Sequence, residues 1–386
     1  MEKRSLRGYS VMSSTVLILS ASYGNGHHQA AKSIEEEFYR QGVEKVVFSD
    51  LYAESYPKAA NITRSLLLKG FKYGSPVYKA FYYGTDKLSN TGVSFFLQQL
   101  GRARIKELIS LHQPKCIITT FPLLAAPQLR NNDHYSIPTY TVITDYCLHS
   151  LWVHPYIEKY FAASHKVKED LMKHNVIDDK IVVSGIPIRS TFEQSITKEQ
   201  IYKKYNLNKD SKIITVLAGA SGLLKNTDKI CEELLQTKQS QVVVICGNNE
   251  TLYNKLLPLT ESYGEKIRLF KYVEDIHEIF DVSYCMITKP GGISITEAAS
   301  KKTPLILYKP IPGQERENAC FFEKTGAGII ANNVKETILA VEDLIINQEK
   351  QASMKQALSE IYQPHSSKVI VQEIMKDCFQ VNHVHS

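Results

Sequence analysis

A glycine-rich turn carrying adjacent histidines follows the first β-rich run of the sequence. Gly24 and Gly26 allow the backbone to turn sharply and to approach a ligand closely. Gln29 stands where a dinucleotide fingerprint requires a third glycine, so that fingerprint fails. The N-terminus of the amphipathic helix that follows disfavours an imidazolium, and His27 is therefore predicted to be neutral and able to accept a proton. His28 is interpreted as structural or solvent-facing. The spacing alone equally fits a helix-capping loop with a surface histidine.

A second glycine turn lies in the C-terminal half, again between a β-rich run and a helix. The paired glycines open the backbone, Ser294 can cap the following helix, and the helix N-terminus can bind a diphosphate without a cation. Glu297 lies within the first turns of that helix, where a carboxylate could hold the two hydroxyls of a ribose. Such turns occur in many folds, and their order and spacing after β-rich runs strengthen the interpretation. The predicted binding residues here are Gly291, Gly292, Ser294, Thr296 and Glu297.

A third polar group follows in the segment 310–319. Gln314 and Asn318 are four residues apart and therefore share one face of a short helix. Their amides donate and accept hydrogen bonds, which suits the hydroxyls of a sugar. Glu315, between them in the sequence, is included in the same predicted binding set.

Other site classes find little support in the sequence. There is no D-x-D, no H-x-x-x-H and no cluster of cysteine with histidine, so no metal site and no cofactor are predicted. His383 and His385 amount to a weak surface chelator. A Ser/His/Asp hydrolase is doubtful because G-x-S-x-G is absent. The segment Gly185–Arg189 is interpreted as a proline-set loop that turns the chain out of the first domain.

Strand and helix patterns alternate along the whole chain, and most strands are continuous Val/Ile-rich runs, as expected for a parallel sheet buried on both faces. In the first half the predicted strands are Thr15–Ser20, Lys45–Ser49, Cys116–Thr120, Thr139–Thr144, Tyr160–Ala163 and Ile181–Ser184. In the second half they are Ile213–Ala218, Gln241–Cys246, Ile267–Phe270, Tyr284–Thr288, Pro304–Leu307 and Gly328–Ile330.

The fold class predicted from this pattern is α/β, with two Rossmann-like doubly wound domains facing a cleft and ligands at the carboxyl ends of the strands. A polar, helix-like stretch at 191–212 places the domain boundary near residue 195. The predicted domains are residues 1–195, residues 196–360, and a C-terminal helix and tail at 361–386, with the helix at Ser366–Phe379.

The composition agrees with a large folded protein. The 386 residues are 43% hydrophobic and 22% charged, which is too apolar for a disordered chain. The seven cysteines are odd in number, widely spread and without C-x-x-C, which favours thiols in a reducing compartment. Since no run of 18 apolar residues exists, no membrane span is predicted, and a cytosolic protein is expected.

Positive charge is concentrated in the segment Lys58–Lys106, called here the basic aromatic segment. Nine basic residues against one acidic residue give it a net charge of +8; because the whole chain carries +6, the remainder carries −2. Eight aromatic residues are interleaved with these charges. Cations attract anionic lipid or nucleic acid, and rings prefer a bilayer interface or stack on bases. The segment alone leaves lipid, nucleic acid and a solvated core-packing region open.

Taken together, these residues closely resemble the processive diacylglycerol β-glucosyltransferases of Gram-positive bacteria, relatives of plant monogalactosyldiacylglycerol synthases and of the peptidoglycan GlcNAc transferase. The resemblance spreads over about 300 residues and covers essentially the whole chain. Its carriers are Tyr23–His27, Thr144–His149 with Trp152, Gly185–Ile188, Thr288–Ile293, and Pro312–Glu315 with Asn318.

The resemblance implies a glycosyltransferase of the GT-B type. Its first half would bind the lipid acceptor and the membrane, and its second half UDP-glucose. It implies inverting, metal-independent transfer of glucose to the 3-hydroxyl of diacylglycerol, then to the glucosyl lipid, giving the diglucosyl lipid that anchors lipoteichoic acid. It also implies peripheral attachment to the cytoplasmic face of the cell membrane, with an anionic lipid surface and no nucleic acid as the partner of the basic aromatic segment.

The resemblance also assigns roles to single residues. His27 resembles the base that takes the acceptor proton, and Asp145 would orient that histidine or contact the acceptor. Gly219 and Ser221 match a loop that meets the nucleotide. On the donor side, Gly292 and Ser294 would hold phosphate, Glu297 the ribose, and Gln314 with Asn318 the transferred sugar. One departure is Asn25, where the plant enzymes carry a glycine.

Two other functions stay open at this point. A UDP-sugar 2-epimerase has the same fold and binds UDP between its domains, but it needs no basic aromatic segment and no lipid. A non-catalytic regulator would report UDP-glucose supply to a partner such as the division machinery.

Overall fold

The computed structural model describes residues 12–21, 25–55, 79, 82–84, 99, 101–132, 135–218 and 224–379. In these residues it contains two six-stranded sheets in which every strand pairs with its neighbours in parallel. The predicted α/β class with two doubly wound sheets is confirmed.

The first sheet has the strand order β2-β1-β3-β4-β5-β6. Its strands are β1 (Met12–Ser20), β2 (Val43–Asp50), β3 (Cys116–Thr119), β4 (Thr139–Val142), β5 (Lys159–Ala162) and β6 (Ile181–Val183). The helices around it are α1 (Asn25–Arg40), α2 (Leu51–Ser55), α3 (Arg102–His112), α4 (Ala125–Asn132) and α5 (His165–Lys173).

The second sheet has the strand order β12-β11-β10-β7-β8-β9. Its strands are β7 (Lys212–Leu217), β8 (Ser240–Ile245), β9 (Ile267–Phe270), β10 (Ser283–Thr288), β11 (Leu305–Tyr308) and β12 (Gly328–Ala331). The helices of this half are α6 (Lys198–Lys204), α7 (Thr227–Leu234), α8 (Glu250–Tyr263), α9 (Ile276–Val282), α10 (Gly292–Ser300), α11 (Gln314–Lys324), α12 (Val334–Ile346) and α13 (Gln348–Ile361).

Each sheet has one point where the strand order reverses, between β1 and β3 in the first sheet and between β7 and β10 in the second. Helices starting after β1 and β10 leave a crevice at such points, which is where open α/β sheets bind ligands. The two predicted glycine turns follow β1 and β10, so the topology places both at these crevices.

The chain passes from the first half to the second at residues 185–193 and returns at residues 362–366, and these two segments contact each other. Gly185 has φ +77°, and a Cβ there would lie 2.7 Å from Cβ of Gln363. Ser366 Oγ donates to the carbonyl of Gly185 at 2.9 Å. Glu193, in a single 3-10 turn at Ser190–Glu193, accepts from Tyr362 Oη at 2.9 Å. The predicted boundary near residue 195 falls beside this pair of passages and stays a prediction.

The last helix, α14 (Ser366–Phe379), has the bounds predicted from its apolar spacing, and it returns to the first half. Its buried face, formed by Ile370, Val371 and Ile374, shares one core with residues of β1 and α1 such as Val16 and Ile34. A separate core spans both halves and joins Tyr146 and Trp152 to Ile293 and Ala298. In the described residues no helix combines the length and the apolar character needed to cross a bilayer.

Candidate active site

His27 lies in the first turn of α1, and its ring is fixed by two neighbouring strand ends. Nδ1 lies 2.8 Å from the carbonyl oxygen of Thr120, just after β3, and 2.8 Å from Oγ1 of Thr144, just after β4. A carbonyl oxygen can only accept, so Nδ1 carries the proton of the neutral ring. Nε2 is then the basic nitrogen, and no described residue forms a hydrogen bond with it.

The surroundings of His27 favour its neutral form. Phe121 meets the imidazole edge-on with ring centroids 5.0 Å apart, and Trp152 lies at 6.4 Å. Burial lowers the pKa of His27, while the charge of Asp145 and the Thr120 carbonyl oppose this more weakly. A neutral imidazole is also what the sequence predicts, and burial is the largest cause that lowers the pKa of His27 in the structure. His28 is exposed and packs edge-on against Phe48 at 4.7 Å.

The two glycine turns meet at Thr144. A Cβ on Gly292 would lie 2.1 Å from the carbonyl oxygen of Thr144, so only glycine allows α10 to begin this close. A Cβ on Gly26 would lie 3.3 Å from Cγ1 of Ile293. Thr144 therefore contacts the imidazole with its hydroxyl and the start of α10 with its backbone. The imidazole of His27 and the N-terminus of α10 therefore meet at one junction, Thr144.

Asp145 is buried at this junction, only 4% exposed, and binds the two amides predicted to hold a sugar. Its Oδ1 accepts from Nε2 of Gln314 and, at 3.1 Å, from Nδ2 of Asn318. In the described residues no hydrogen bond joins Asp145 to His27; the carboxylate acts on the imidazole through its charge. The orientation of His27 comes instead from Thr120 and Thr144.

Asn318 is fully buried and uses both ends of its amide within the protein. Nδ2 also donates to the carbonyl of Pro290 at 3.2 Å, and Oδ1 accepts from the backbone N–H of Tyr146 at 2.9 Å. It thus joins α11, the turn before α10 and the turn after β4. Gln314, by contrast, is half-buried and has Asp145 as its side-chain partner.

The remaining predicted residues of α10 differ in their surroundings. Thr296 Oγ1 donates to the carbonyl of Gly292 at 2.7 Å and lies 2.8 Å from Tyr146 Oη, so this hydroxyl is engaged within the protein. Ser294 is half-buried and makes no side-chain hydrogen bond within the described residues. Gly291 precedes the helix as its N-cap with φ −74°. Within the described residues, the Ser294 hydroxyl at the start of α10 is therefore not engaged by another part of the protein.

Glu297 has a partner that the sequence did not indicate. Nη2 and Nε of Arg189 donate to its Oε1 at 3.0 and 3.3 Å. Burial raises the pKa of Glu297, and the guanidinium partly opposes that rise. Arg189 ends the segment that is interpreted from the sequence only as a proline-set loop. A cation immediately after that turn is the signal that could have indicated a functional residue there. Glu315 instead holds its own turn: Oε2 accepts from Ile311 N at 3.1 Å, and Lys289 Nζ lies 3.4 Å from the carboxylate.

Some predictions lie outside the described residues, namely Gly219, Ser221, Gly24 and most of the basic aromatic segment. Within the described part of the chain, no group of three or more His, Cys, Asp or Glu side chains could hold a metal ion.

Two family models match the chain. The model described as monogalactosyldiacylglycerol (MGDG) synthase matches residues 27–188, and the glycosyltransferase family 28 C-terminal domain matches residues 213–374. Curated relatives include the processive diacylglycerol beta-glucosyltransferase of Bacillus pumilus, 44% identical over 94% of both chains. The protein of the same name from Bacillus subtilis is 44% identical over 94% of this chain and 95% of its own length.

Solved structures share the fold at low sequence identity. MurG of Acinetobacter baumannii matches with a TM-score of 0.64 at 13% identity, over 94% of this chain and 99% of that one. The UDP-GlcNAc 2-epimerase of Neisseria meningitidis, bound to UDP-GlcNAc, matches with a TM-score of 0.62 at 16% identity, over 94% and 100% of the two chains. Because both a MurG and an epimerase match, these likenesses establish the fold alone.

Proposed function

The chain belongs to the family of the processive diacylglycerol beta-glucosyltransferases, and we propose that it transfers glucose from UDP-glucose to 1,2-diacylglycerol and then to the glucosyl lipid. The observation that carries the proposal is the junction at Thr144, which contacts both His27 and the start of α10. The base proposed for the acceptor and the cradle proposed for the leaving diphosphate both contact that residue.

In this reaction Nε2 of His27 takes the proton from the lipid hydroxyl as its oxygen attacks the anomeric carbon. The bond to the diphosphate breaks on the opposite face of the sugar, which inverts the configuration. A positioned general base contributes about 10²–10⁴-fold to such a step. The negative charge that develops on the diphosphate is stabilised by the N–H groups at the start of α10 and by Ser294.

The donor would occupy the second half along α10 and α11. Gly291, Gly292 and Ser294 hold the phosphates, and Glu297 holds the ribose beside Arg189. The amide of Gln314 binds the sugar, whose hydroxyls share or replace its contact with Asp145. Asn318 supports the site without binding the sugar, because its amide already has three partners within the protein.

The acceptor lies in a bilayer, so the protein must reach the headgroup plane. We assign that attachment, at the cytoplasmic face of the membrane, to the basic aromatic segment. Each cation near an anionic surface contributes about 1 kcal/mol, and a net charge of +8 is sufficient for reversible binding. The diglucosyl product would serve as a membrane glycolipid and as the anchor of lipoteichoic acid.

The deciding experiment measures UDP release from UDP-glucose by the purified protein, with and without diacylglycerol micelles, in the presence of EDTA. We expect release that depends on the lipid and persists with the chelator, and a lipid chromatogram showing mono- and diglucosyldiacylglycerol. Conversion of UDP-GlcNAc without lipid would instead indicate the epimerase. Binding of UDP-glucose with no turnover in either condition would indicate the regulator.

A further inference from the structure

Two tyrosines of the basic aromatic segment contact both halves of the protein. Tyr83 Oη donates to Oε1 of Glu317, on α11, at 2.8 Å. The carbonyl oxygen of Tyr82 lies 2.9 Å from Nε2 of His149, in the turn after β4, and the two rings meet edge-on at 4.7 Å. The pair therefore connects the turn that carries Asp145 to the helix that carries Gln314.

The first turns of α11 present three polar side chains to the first half. Gln314, Glu317 and Asn318 stand three and four residues apart, which places them on one face of the helix. Asp145 holds the first and the last, and Tyr83 holds the middle one. Residues of the first half therefore help to set the direction in which α11 begins, beside the contacts that Asn318 and Glu315 make within the second half.

We propose that Tyr83 is a positioning residue for the sugar end of the donor, acting through Glu317 on the placement of Gln314. The inference rests on the proposed function for the identity of the sugar nucleotide. Within the described residues, no hydrogen bond or ring contact joins Tyr83 to α10, where the diphosphate would bind. Its influence should therefore reach the glucose and not the nucleotide.

The protonation state of Tyr83 supports this role. Burial, together with the neighbouring carboxylate of Glu317, raises the pKa of Tyr83 to about 12. The phenol therefore stays protonated and continues to donate across the physiological pH range. A hydrogen bond to a charged acceptor is stronger than one between neutral groups, and partial exposure weakens it. We expect the loss of this one to weaken sugar binding by about fivefold.

The test compares the dissociation constants of UDP and of UDP-glucose by titration calorimetry for the wild-type protein and Tyr83→Phe. We expect UDP to bind within about twofold of wild type and UDP-glucose about fivefold more weakly. Glu317→Ala should reproduce this difference, the double variant should be no worse than either single one, and Glu317→Gln, which keeps an acceptor oxygen, should restore most of the affinity.

Tyr39→Phe is the matched control, because Tyr39 lies half exposed near the end of α1, with its hydroxyl 3.4 Å from the backbone of Val46. Its affinities for both ligands should equal those of wild type. Equal weakening of UDP and UDP-glucose in Tyr83→Phe, or unchanged affinity for both, would overturn the proposal. The calorimetry needs no lipid, so a failure of the proposed glucose transfer can be distinguished from a failure of the positioning role of Tyr83.

Discussion

Replacement of Gly292 by alanine tests whether the base and the donor cradle share one junction. A Cβ at this position would lie 2.1 Å from the carbonyl oxygen of Thr144, whereas contacts below 3.0 Å are essentially never seen. The start of α10 or the turn after β4 must therefore retreat by about 0.9 Å in Gly292→Ala. Thr144 contacts the imidazole of His27 through its hydroxyl and the phosphate-binding turn through its carbonyl, so the imidazole and that turn would move relative to each other.

A misplacement of about 1 Å between reacting groups costs on the order of 100-fold in rate. Overpacking of this kind also costs about 1–3 kcal/mol of stability. We therefore expect kcat/KM for lipid-dependent UDP release to fall by about 100-fold in Gly292→Ala, with a lowered melting temperature. The assay is the same UDP release with diacylglycerol micelles, run beside thermal unfolding.

Gly291→Ala is the comparison for the fold, since the same methyl group one residue earlier meets no described atom within 4 Å and φ there is −74°. We expect a wild-type melting temperature and a smaller loss of activity than in Gly292→Ala. If Gly292→Ala kept activity within threefold and melted as wild type does, Thr144 and Gly292 would not be in contact, and the reasoning about the junction would be refuted.

Three further predictions concern the base, its neighbour and the membrane. His27→Ala should lower turnover by about 10²–10⁴-fold and leave the affinity for UDP-glucose, measured by calorimetry, nearly intact; near-normal turnover would remove His27 as the base. Asp145→Asn removes a charge that raises the pKa of His27, so this pKa should fall. The acid limb of the pH profile of kcat/KM should then move to lower pH, and a shift to higher pH would contradict the electrostatic account. Neutralising Lys69, Lys72 and Lys79 together should weaken salt-sensitive binding to phosphatidylglycerol vesicles in a flotation assay, and salt-independent binding would count against the electrostatic attachment.

The fold was predictable because parallel strands carry a strong local pattern. Strands buried on both faces are continuous Val/Ile-rich runs, and each of the twelve predicted runs overlaps one of the strands in the described residues. Their ends differ by up to three residues, as at β1, which begins at Met12 and not at Thr15. The pattern fixes which residues are buried and leaves the last paired residue open.

The two glycine turns were predictable for a similar reason, since a glycine after a buried run indicates a close backbone approach. Their mutual contact was not, because it depends on how two sheets face each other. Thr120 binds His27 through its backbone carbonyl, and because every residue has such a group, the sequence does not indicate this contact. Arg189 and Glu297 pair across 108 residues; the sequence shows a cation after the turn at Gly185, but nothing in either local segment indicates which residue it contacts.

The position of α14 has a consequence for biosynthesis. Its apolar face completes the core around β1 and α1, yet its residues are synthesised after the entire second sheet. Domains usually fold in the order in which they leave the ribosome, whereas here the core between the first sheet, α1 and α14 stays incomplete until α14 has been synthesised. A nascent chain that stalls before α14 would expose the apolar side chains of Val16, Ile18 and Ile34, and such truncated products should be strong chaperone clients.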